Sequence, residues 1–297
     1  MSDTFDLKPY LQAKRQMVDA ALEKYLPPAT TWPEKLNESV RYSIFAGGKR
    51  LRPILALAAA EAVRADPESV MPVACALEMI HTYSLIHDDL PAMDDDDLRR
   101  GRPTNHKVYG EAIAILAGDS LLAEAFHTIA AHCRNGRAEA GLQVLDRIAQ
   151  AAGAQGMVGG QVQDLLSEKK KISPEELEHL HRHKTGALIR VSVEAGALLA
   201  GADETQFQAL SKYGECIGLS FQIADDVLDI EGGEEIGKDV GSDLEKEKAT
   251  YPSILGLERS KALAHEITEE ALNALKPLGA AAEPLREIAR YVVYRKN

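Results

Sequence analysis

Cysteine is scarce in this chain of 297 residues, which has only three cysteines. They lie far apart and form no CxxC pair. An odd, sparse set argues against a disulfide framework and against a thiolate zinc site. We therefore expect Cys75, Cys133 and Cys216 to be small, buried, apolar residues.

Positive charge is also in deficit, with 34 Lys and Arg against 46 Asp and Glu, a formal net charge of −12. Binding to a phosphate backbone needs a surplus of Lys and Arg, so no nucleic-acid partner is expected. The sequence has no run of about 20 consecutive apolar residues that would predict a transmembrane segment. Residues 1–16 lack the apolar core of a secretory signal, which predicts a cytoplasmic protein.

Aromatic residues make up 5% of the chain, and no alternating β-branched run predicts a sheet. Good helix formers fill most segments instead. Apolar residues recur at three- and four-residue steps in 110–132, and 74–87 has a similar pattern. Ser173–Glu176 reads as a helix cap followed by proline and two acids. Because no low-complexity linker divides the chain, we predict one all-α domain over 1–297.

Two groups of aspartates stand out, each following an apolar stretch. Carboxylates this close repel one another, and those that stay ionised attract hard cations such as Mg²⁺. Pro91 supplies an irregularity that could swing Asp94 back alongside Asp88. The first group comprises Asp88, Asp89, Asp94, Asp95, Asp96 and Asp97, and the second Asp225, Asp226 and Asp229.

In the second group, positions 225 and 229 are one helical turn apart, and Gln222 lies on the same stripe. Either group alone could be a solvated helix end or a set of capping acids. A calcium loop is disfavoured, because the EF-hand spacing and its central glycine are absent. Two such groups together favour a metal–diphosphate site.

Basic residues that a diphosphate would need lie near these groups. Gly47–Pro53 combines a glycine turn with three cations, and Arg99–Arg102 follows the first acidic group directly. An arginine fork can bind two phosphate oxygens at once. Lys184, Lys238 and Lys248 stand near acidic or glycine-containing stretches. Taken alone, the Gly47–Pro53 turn could equally be a solvated loop.

Several stretches resemble motifs of the polyprenyl diphosphate synthase family, in the family's order. His81–His106 resembles its first aspartate-rich motif, including the two extra residues of the bacterial and plant variant. The other matching stretches are Gly47–Pro53, Gly156–Leu165, Lys184–Thr185, Phe221–Asp229 and Gly237–Asp239.

The resemblance implies an all-α, single-domain helical bundle around a deep central cavity, usually a homodimer. It implies head-to-tail condensation of isopentenyl diphosphate with dimethylallyl or geranyl diphosphate to give farnesyl diphosphate. The implied metal set, holding three Mg²⁺ ions, is Asp88, Asp89, Asp94, Asp225, Asp226 and Asp229. The implied substrate-binding residues are Lys49, Arg52, His81 and Arg100 for isopentenyl diphosphate, Arg99 and Lys184 for the allylic diphosphate, and also Lys238 and Lys248. Lys184, Thr185 and Gln222 are the implied catalytic residues, whose dipoles stabilise the allylic carbocation.

Product length is set, by the family resemblance, by what blocks the cavity below the first motif, and the residue five positions before the first aspartate often serves as that floor, along with residues on neighbouring helices. Here Tyr83 occupies that position, with the small Ser84 after it, which predicts a cavity floor and a farnesyl product. A geranylgeranyl diphosphate synthase is the alternative within the family. Outside it, the alternatives are an HD-type metal phosphohydrolase, suggested by His87–Asp88, a terpene cyclase, and a silent regulatory subunit.

Overall fold

Helices dominate the computed structural model, which describes residues 5–134, 137–168, 170–231 and 249–294. The first half contains α1 (Leu7–Tyr25), α2 (Glu34–Ile44), α3 (Leu51–Ala62), α4 (Met71–Asp88), α5 (Asn105–Tyr109), α6 (Glu111–Cys133) and α7 (Ala138–Ala152). The second half contains α8 (Met157–Ser167), α9 (Pro174–His181), α10 (Ala187–Leu199), α11 (Glu204–Glu231), α12 (Tyr251–Leu255), α13 (Leu257–Ala274) and α14 (Glu283–Tyr294). The predicted all-α class is confirmed.

Local sequence signals fix where several helices begin. The Ser173 hydroxyl accepts from the backbone N–H of Glu176, whose carboxylate accepts from the backbone N–H of Ser173. This capping box satisfies two donors at the start of α9. The helix start predicted at Ser173 is confirmed. The helices predicted in 74–87 and 110–132 are confirmed as α4 and α6.

The core is held together by α3 and α10, which are buried on nearly all sides. Ala56 and Ala60 of α3 belong to a hydrophobic cluster that includes α4 and α6. Ile54 and Leu55 face a second cluster, which includes α11 and α14. The two helices approach closely because Gly196 of α10 has no side chain: a Cβ there would lie 2.2 Å from the carbonyl oxygen of Ala56.

Two helical segments are long and apolar enough to cross a membrane by length and composition, Pro67–Asp88 and Glu111–Cys133. The first is 78% buried inside the protein, as a core helix is, and the second is 39% buried. α6 therefore keeps apolar surface exposed, including Ile115 and Leu116. The three cysteines are buried and free, as predicted.

A small β-ribbon that the sequence did not predict follows the first acidic group. Leu98–Arg99 and Arg102–Pro103 pair antiparallel. Arg100 and Gly101 make the turn between them, with φ values of 56° and 72°. The ribbon presents Arg99 and Arg100 immediately after the aspartates.

Candidate active site

The first acidic group lies where α4 ends at Asp88. Pro91 follows in a turn, and the chain folds back. The backbone N–H of Asp94 donates to the carbonyl oxygen of Asp88 at 2.8 Å, and that of Asp95 to Leu90 at 3.1 Å. Asp94 is thus placed beside Asp88, as the position of Pro91 predicts.

The two adjacent aspartates of this group have different surroundings. Asp88 is half-buried, whereas Asp89 is only 3% exposed. Arg99 donates to Asp89 through Nε at 2.9 Å and also through Nη2, and it donates to Asp96 at 3.1 Å. These charge-assisted bonds hold Arg99 at the acidic group, where the sequence predicts a phosphate-binding cation.

The second acidic group repeats this pattern on α11. Asp225 and Asp229 are half-buried, one turn apart, while Asp226 is 3% exposed. One carboxylate oxygen of Asp226 accepts from Gln222 Nε2 at 3.0 Å, and the other accepts from the backbone N–H of Tyr251 at 3.0 Å. In both groups, the first aspartate of the adjacent pair is half-buried and the second is almost fully buried.

Lys184 and Thr185 lie in a π-helix, Arg182–Gly186, between α9 and α10. π-Helical turns are rare and are found frequently at functional sites. Lys184 Nζ donates to Asp164 at 2.5 Å, and the Thr185 hydroxyl donates to Gln222 Oε1 at 3.0 Å. The π-helix therefore connects α8 with α11 through two predicted catalytic residues.

Asp164 is a candidate site residue that the sequence reasoning missed. It lies on α8 within Gly156–Leu165, a stretch that served only as a family marker. Beside it, both polar side-chain atoms of Gln161 are buried and, within the described residues, have no hydrogen-bond partner. The sequence signal that could have found Asp164 is an amide and a carboxylate, Gln161 and Asp164, on a helix with two glycines among its first four residues.

The close approach of α8 to the π-helix depends on Gly160. A Cβ there would lie 2.2 Å from the backbone nitrogen of Lys184. We expect Gly160→Ala to destabilise the fold by about 1–3 kcal/mol, as overpacking does. It should also abolish most activity, because it moves Lys184 and Thr185. Gly214→Ala is the control. A Cβ there would lie no closer than 3.0 Å to its nearest neighbour, the Cα of Arg190 on α10, so this variant should keep activity.

Thermal unfolding and substrate turnover, measured on both variants, separate these effects. A Gly160→Ala enzyme with wild-type turnover would show that the position of the π-helix does not matter.

Arg52 and His81 lie in a cluster of positive charge. Burial, together with the charge of Arg100, lowers the pKa of Arg52 to about 10, although Glu78 and Asp225 raise it. Burial and the charges of Arg52 and Arg100 hold the pKa of His81 well below its usual value. Arg52 Nε is buried and, among the described residues, has no hydrogen-bond partner. Neighbouring cationic groups disfavour one another's positive charge, and a bound anion would relieve that repulsion.

The glycine turn before α3 accommodates Arg100. Arg100 donates to the carbonyl oxygen of Gly47. A Cβ at Gly48 would lie 2.5 Å from its guanidinium. Lys49 is exposed next to this contact. Two further predicted substrate-binding residues lie outside the part of the chain that the structure describes: Lys238 and Lys248.

Acidic and basic residues on different helices and loops shift one another's pKa values. Burial raises the pKa of Asp88 to about 6, the charge of Lys184 lowers it, and that of Asp94 raises it. In the same way, the charge of Asp225 raises the pKa of Arg52. Residues distant in sequence therefore converge on one site.

The donor set fits magnesium held together with a phosphate ligand. No group of three His, Cys, Asp or Glu side chains forms a ready-made metal site in the described ranges. Mg²⁺ is usually bound through one or two carboxylates, with phosphate oxygens and waters completing its octahedron. Half-buried carboxylates such as Asp88 and Asp225, with cations close by, match that mode.

Tyr83 lies on α4, just over one turn before Asp88. It is 7% exposed, and its ring meets the His87 ring edge-on at 5.7 Å between centroids. Burial and the nearby charge of Asp88 raise its pKa. The Ser84 hydroxyl donates to the carbonyl oxygen of His81 at 2.8 Å. Tyr83 is thus packed in the interior on the helix that ends at the first acidic group, and its role as a cavity floor stays a prediction.

Comparison with known proteins identifies the family to which this chain belongs. The family model described as polyprenyl synthetase matches residues 33–285. The chain is 52% identical over 255 residues to a farnesyl diphosphate synthase of Geobacillus stearothermophilus, covering 85% of each chain. It is 48% identical over 299 residues to a geranylgeranyl diphosphate synthase of Cyanophora paradoxa, covering 100% of this chain and 99% of the relative.

A solved structure agrees with these sequence relatives. The crystal structure of geranylgeranyl pyrophosphate synthetase from Pyrococcus horikoshii superposes with a TM-score of 0.88, at 33% identity, covering 97% of this chain and 98% of that one. The fold, the motif order and the relatives agree, and the chain belongs to the polyprenyl synthetase family, whose members are prenyltransferases.

Proposed function

We propose that this enzyme condenses isopentenyl diphosphate head to tail with dimethylallyl and then geranyl diphosphate, giving (2E,6E)-farnesyl diphosphate. The observation that carries the proposal is the cationic cluster around Arg52. The Arg52 Nε–H is buried and has no hydrogen-bond partner among the residues that the structure describes. Such an arginine, beside Arg100 and His81, suits a diphosphate. We assign isopentenyl diphosphate to this cluster, with Lys49 at its edge.

The allylic diphosphate is assigned to the opposite side of the site, between the two acidic groups. Arg99 and Lys184 would bind its oxygens, exchanging their present carboxylate partners for phosphate. The half-buried carboxylates Asp88, Asp94 and Asp225, with Asp229, would hold the magnesium ions. When bound, Mg²⁺ neutralises charge that develops on the leaving diphosphate.

The chain's own dipoles would then act on the allylic cation. Thr185 and Gln222 are hydrogen-bonded to each other, so their orientation is set before the reaction. Preorganised dipoles need no rearrangement as charge develops. The bond between the allylic carbon and its diphosphate oxygen breaks, which gives the cation and free diphosphate. The double bond of isopentenyl diphosphate then attacks the cation, and the condensed cation loses a proton to the departed diphosphate. No protein nucleophile takes part.

A substitution at Arg52 tests the assignment of isopentenyl diphosphate. We expect Arg52→Gln to raise KM for isopentenyl diphosphate by at least about ten-fold, the typical cost of a lost charge-assisted bond. KM for the allylic substrate should change little. Arg259→Gln, which removes an exposed arginine paired with Glu266, is the matched control and should change neither constant. Equal increases in both constants would contradict the assignment.

Farnesyl diphosphate is the proposed product because the bulky Tyr83, which is buried on α4 five residues before Asp88, would form the cavity floor. The relatives include both farnesyl and geranylgeranyl diphosphate synthases, so geranylgeranyl diphosphate is the alternative product. The proposed location is the cytoplasm, in keeping with the three free cysteines.

We further propose a homodimer that covers α6. Ile115 and Leu116 are 44% and 52% exposed, and contiguous exposed apolar surface marks association sites. A charge at position 116 should therefore give a monomer in sedimentation analysis. The matched control is Leu142→Lys on α7, where the exposed leucine is surrounded by Glu139, Gln143 and Asp146. A dimeric Leu116→Lys protein would contradict this interface.

We propose that residues 1–297 form one domain, as the sequence predicts.

A further inference from the structure

Asp226 lies where three elements meet. Its carboxylate is on α11, its Oδ2 accepts from the backbone N–H that begins α12, and His181 at the end of α9 lies 3.5 Å from the same oxygen. The His181 ring stacks on that of Tyr251, with centroids 5.6 Å apart and planes inclined by 26°. The side chain of Asp226 is buried among these groups.

The other oxygen of Asp226 sets the orientation of the Gln222 amide. A carboxylate can only accept hydrogen bonds, so Gln222 must present its Nε2 donor to Asp226. Its Oε1 must then face the opposite way, where it accepts from Thr185 at 3.0 Å. The Thr185 hydroxyl is therefore obliged to donate to Gln222. The lone pairs of the Thr185 oxygen are therefore directed at groups other than Gln222.

We infer that Asp226 is a positioning residue, which fixes the direction of the Gln222 and Thr185 dipoles, and is not a metal ligand. This inference rests on the proposed function, in which those two dipoles face the allylic cation. The two acidic groups share one feature that fits this role. In each adjacent pair the second aspartate is buried and bonded to the protein, Asp89 by Arg99 and Asp226 by Gln222 and Tyr251.

The variant Asp226→Asn replaces one accepting oxygen by a donor of the same shape. With its Oδ1 on the Tyr251 N–H, its Nδ2 faces Gln222, whose amide must flip. The hydroxyl of Thr185 then meets a donor and loses its fixed direction. We expect kcat to fall about ten- to a hundred-fold, less than the roughly 10²–10³-fold cost of removing a preorganised donor, because the Gln222 and Thr185 groups remain and only their direction is lost. KM for both substrates should be nearly unchanged.

The decisive variant is the double exchange Gln222→Glu with Asp226→Asn. The carboxylate introduced at position 222 can accept both from the amide introduced at position 226 and from the Thr185 hydroxyl. The oxygen of that new amide can still accept from the backbone N–H of Tyr251. The direction of the Thr185 hydrogen bond is thereby restored with the same total charge. Because Gln222 itself faces the allylic cation, the informative quantity is the effect of Asp226→Asn in the Gln222→Glu background. We expect Asp226→Asn to raise kcat in that background, whereas it lowers kcat in the otherwise wild-type protein.

Metal binding supplies a readout that does not need turnover. Titration calorimetry with Mg²⁺ in the presence of inorganic diphosphate should give the same affinity for wild type and Asp226→Asn. Asp225→Asn, at the adjacent half-buried aspartate, should bind Mg²⁺ more weakly. If Asp226→Asn weakens Mg²⁺ binding as much as Asp225→Asn does, Asp226 is a metal ligand and the inference is wrong.

The remaining outcomes are also informative. An equal fall in kcat from Asp226→Asn in the wild-type and Gln222→Glu backgrounds would contradict the orienting role. Failure of both Asp226→Asn and Asp226→Glu to fold would assign Asp226 to the fold and overturn the inference. If the wild-type protein condenses no substrate, the proposed function fails, and the calorimetric comparison still decides whether Asp226 binds metal.

Discussion

An Asp88→Asn variant is expected to condense its substrates about 10³-fold more slowly than wild type, since a metal-held charge contributes several kcal/mol to such transition states. Asp88 ends α4 beside Asp94 and within reach of the charge of Lys184. Asparagine keeps the shape but removes the charge that holds the cation. The half-saturating Mg²⁺ concentration should rise as well.

The control for this prediction comes from the same acidic run. Asp97 has a side chain that is 75% exposed and pairs with Lys107. Because exposed ion pairs contribute little, Asp97→Asn should stay close to wild type in both rate and Mg²⁺ requirement. Equal losses in Asp88→Asn and Asp97→Asn would mean that the run acts as a diffuse negative patch and not as a set of placed ligands.

Tyr83→Ala is expected to lengthen the product from farnesyl to geranylgeranyl diphosphate or beyond. The phenol ring is buried on α4, and it has more heavy atoms than the isoprene unit that each condensation adds. Its removal leaves room for at least one further unit. Chromatography of the dephosphorylated products measures the chain length directly.

Tyr83→Phe is the matched control, because it keeps the ring and loses only the hydroxyl. It should leave the product length unchanged. An unchanged product from Tyr83→Ala would remove Tyr83 as the floor. The chain-length role would then pass to residues on neighbouring helices, such as α6, which contacts α4 at the Ile115 carbonyl through His87.

The contact between His87 and the Ile115 carbonyl oxygen also bears on the phosphohydrolase alternative. His87 Nε2 lies 3.0 Å from the carbonyl oxygen of Ile115, and a Cβ at Gly118 would lie 2.1 Å from the same nitrogen. The imidazole is therefore packed between α4 and α6 and is not directed with Asp88 at a metal. Family membership likewise favours a synthase.

The sequence predicted those parts of the site that depend on local rules. Pro91 implied that Asp94 returns to Asp88, and regular helical spacing implied that Asp225 and Asp229 share a face. Both follow from backbone geometry within a few residues. The capping signal at Ser173 is of the same kind.

Features that depend on tertiary packing could not be predicted in this way. The π-helix that carries Lys184 has no local signature, and it exists where Gly160 lets α8 approach. Likewise, adjacent aspartates look equivalent in sequence. Only the positions of Arg99 and Tyr251 distinguish the buried member of each pair from the half-buried one.

The most direct test of the central claim is a product analysis with labelled isopentenyl diphosphate and dimethylallyl diphosphate, with Mg²⁺ and with excess chelator. The account predicts labelled farnesyl diphosphate with Mg²⁺ and none with chelator. Geranylgeranyl diphosphate as the main product would keep the condensation and contradict the role of Tyr83. Unconsumed isopentenyl diphosphate with Mg²⁺ present would contradict the proposed function itself.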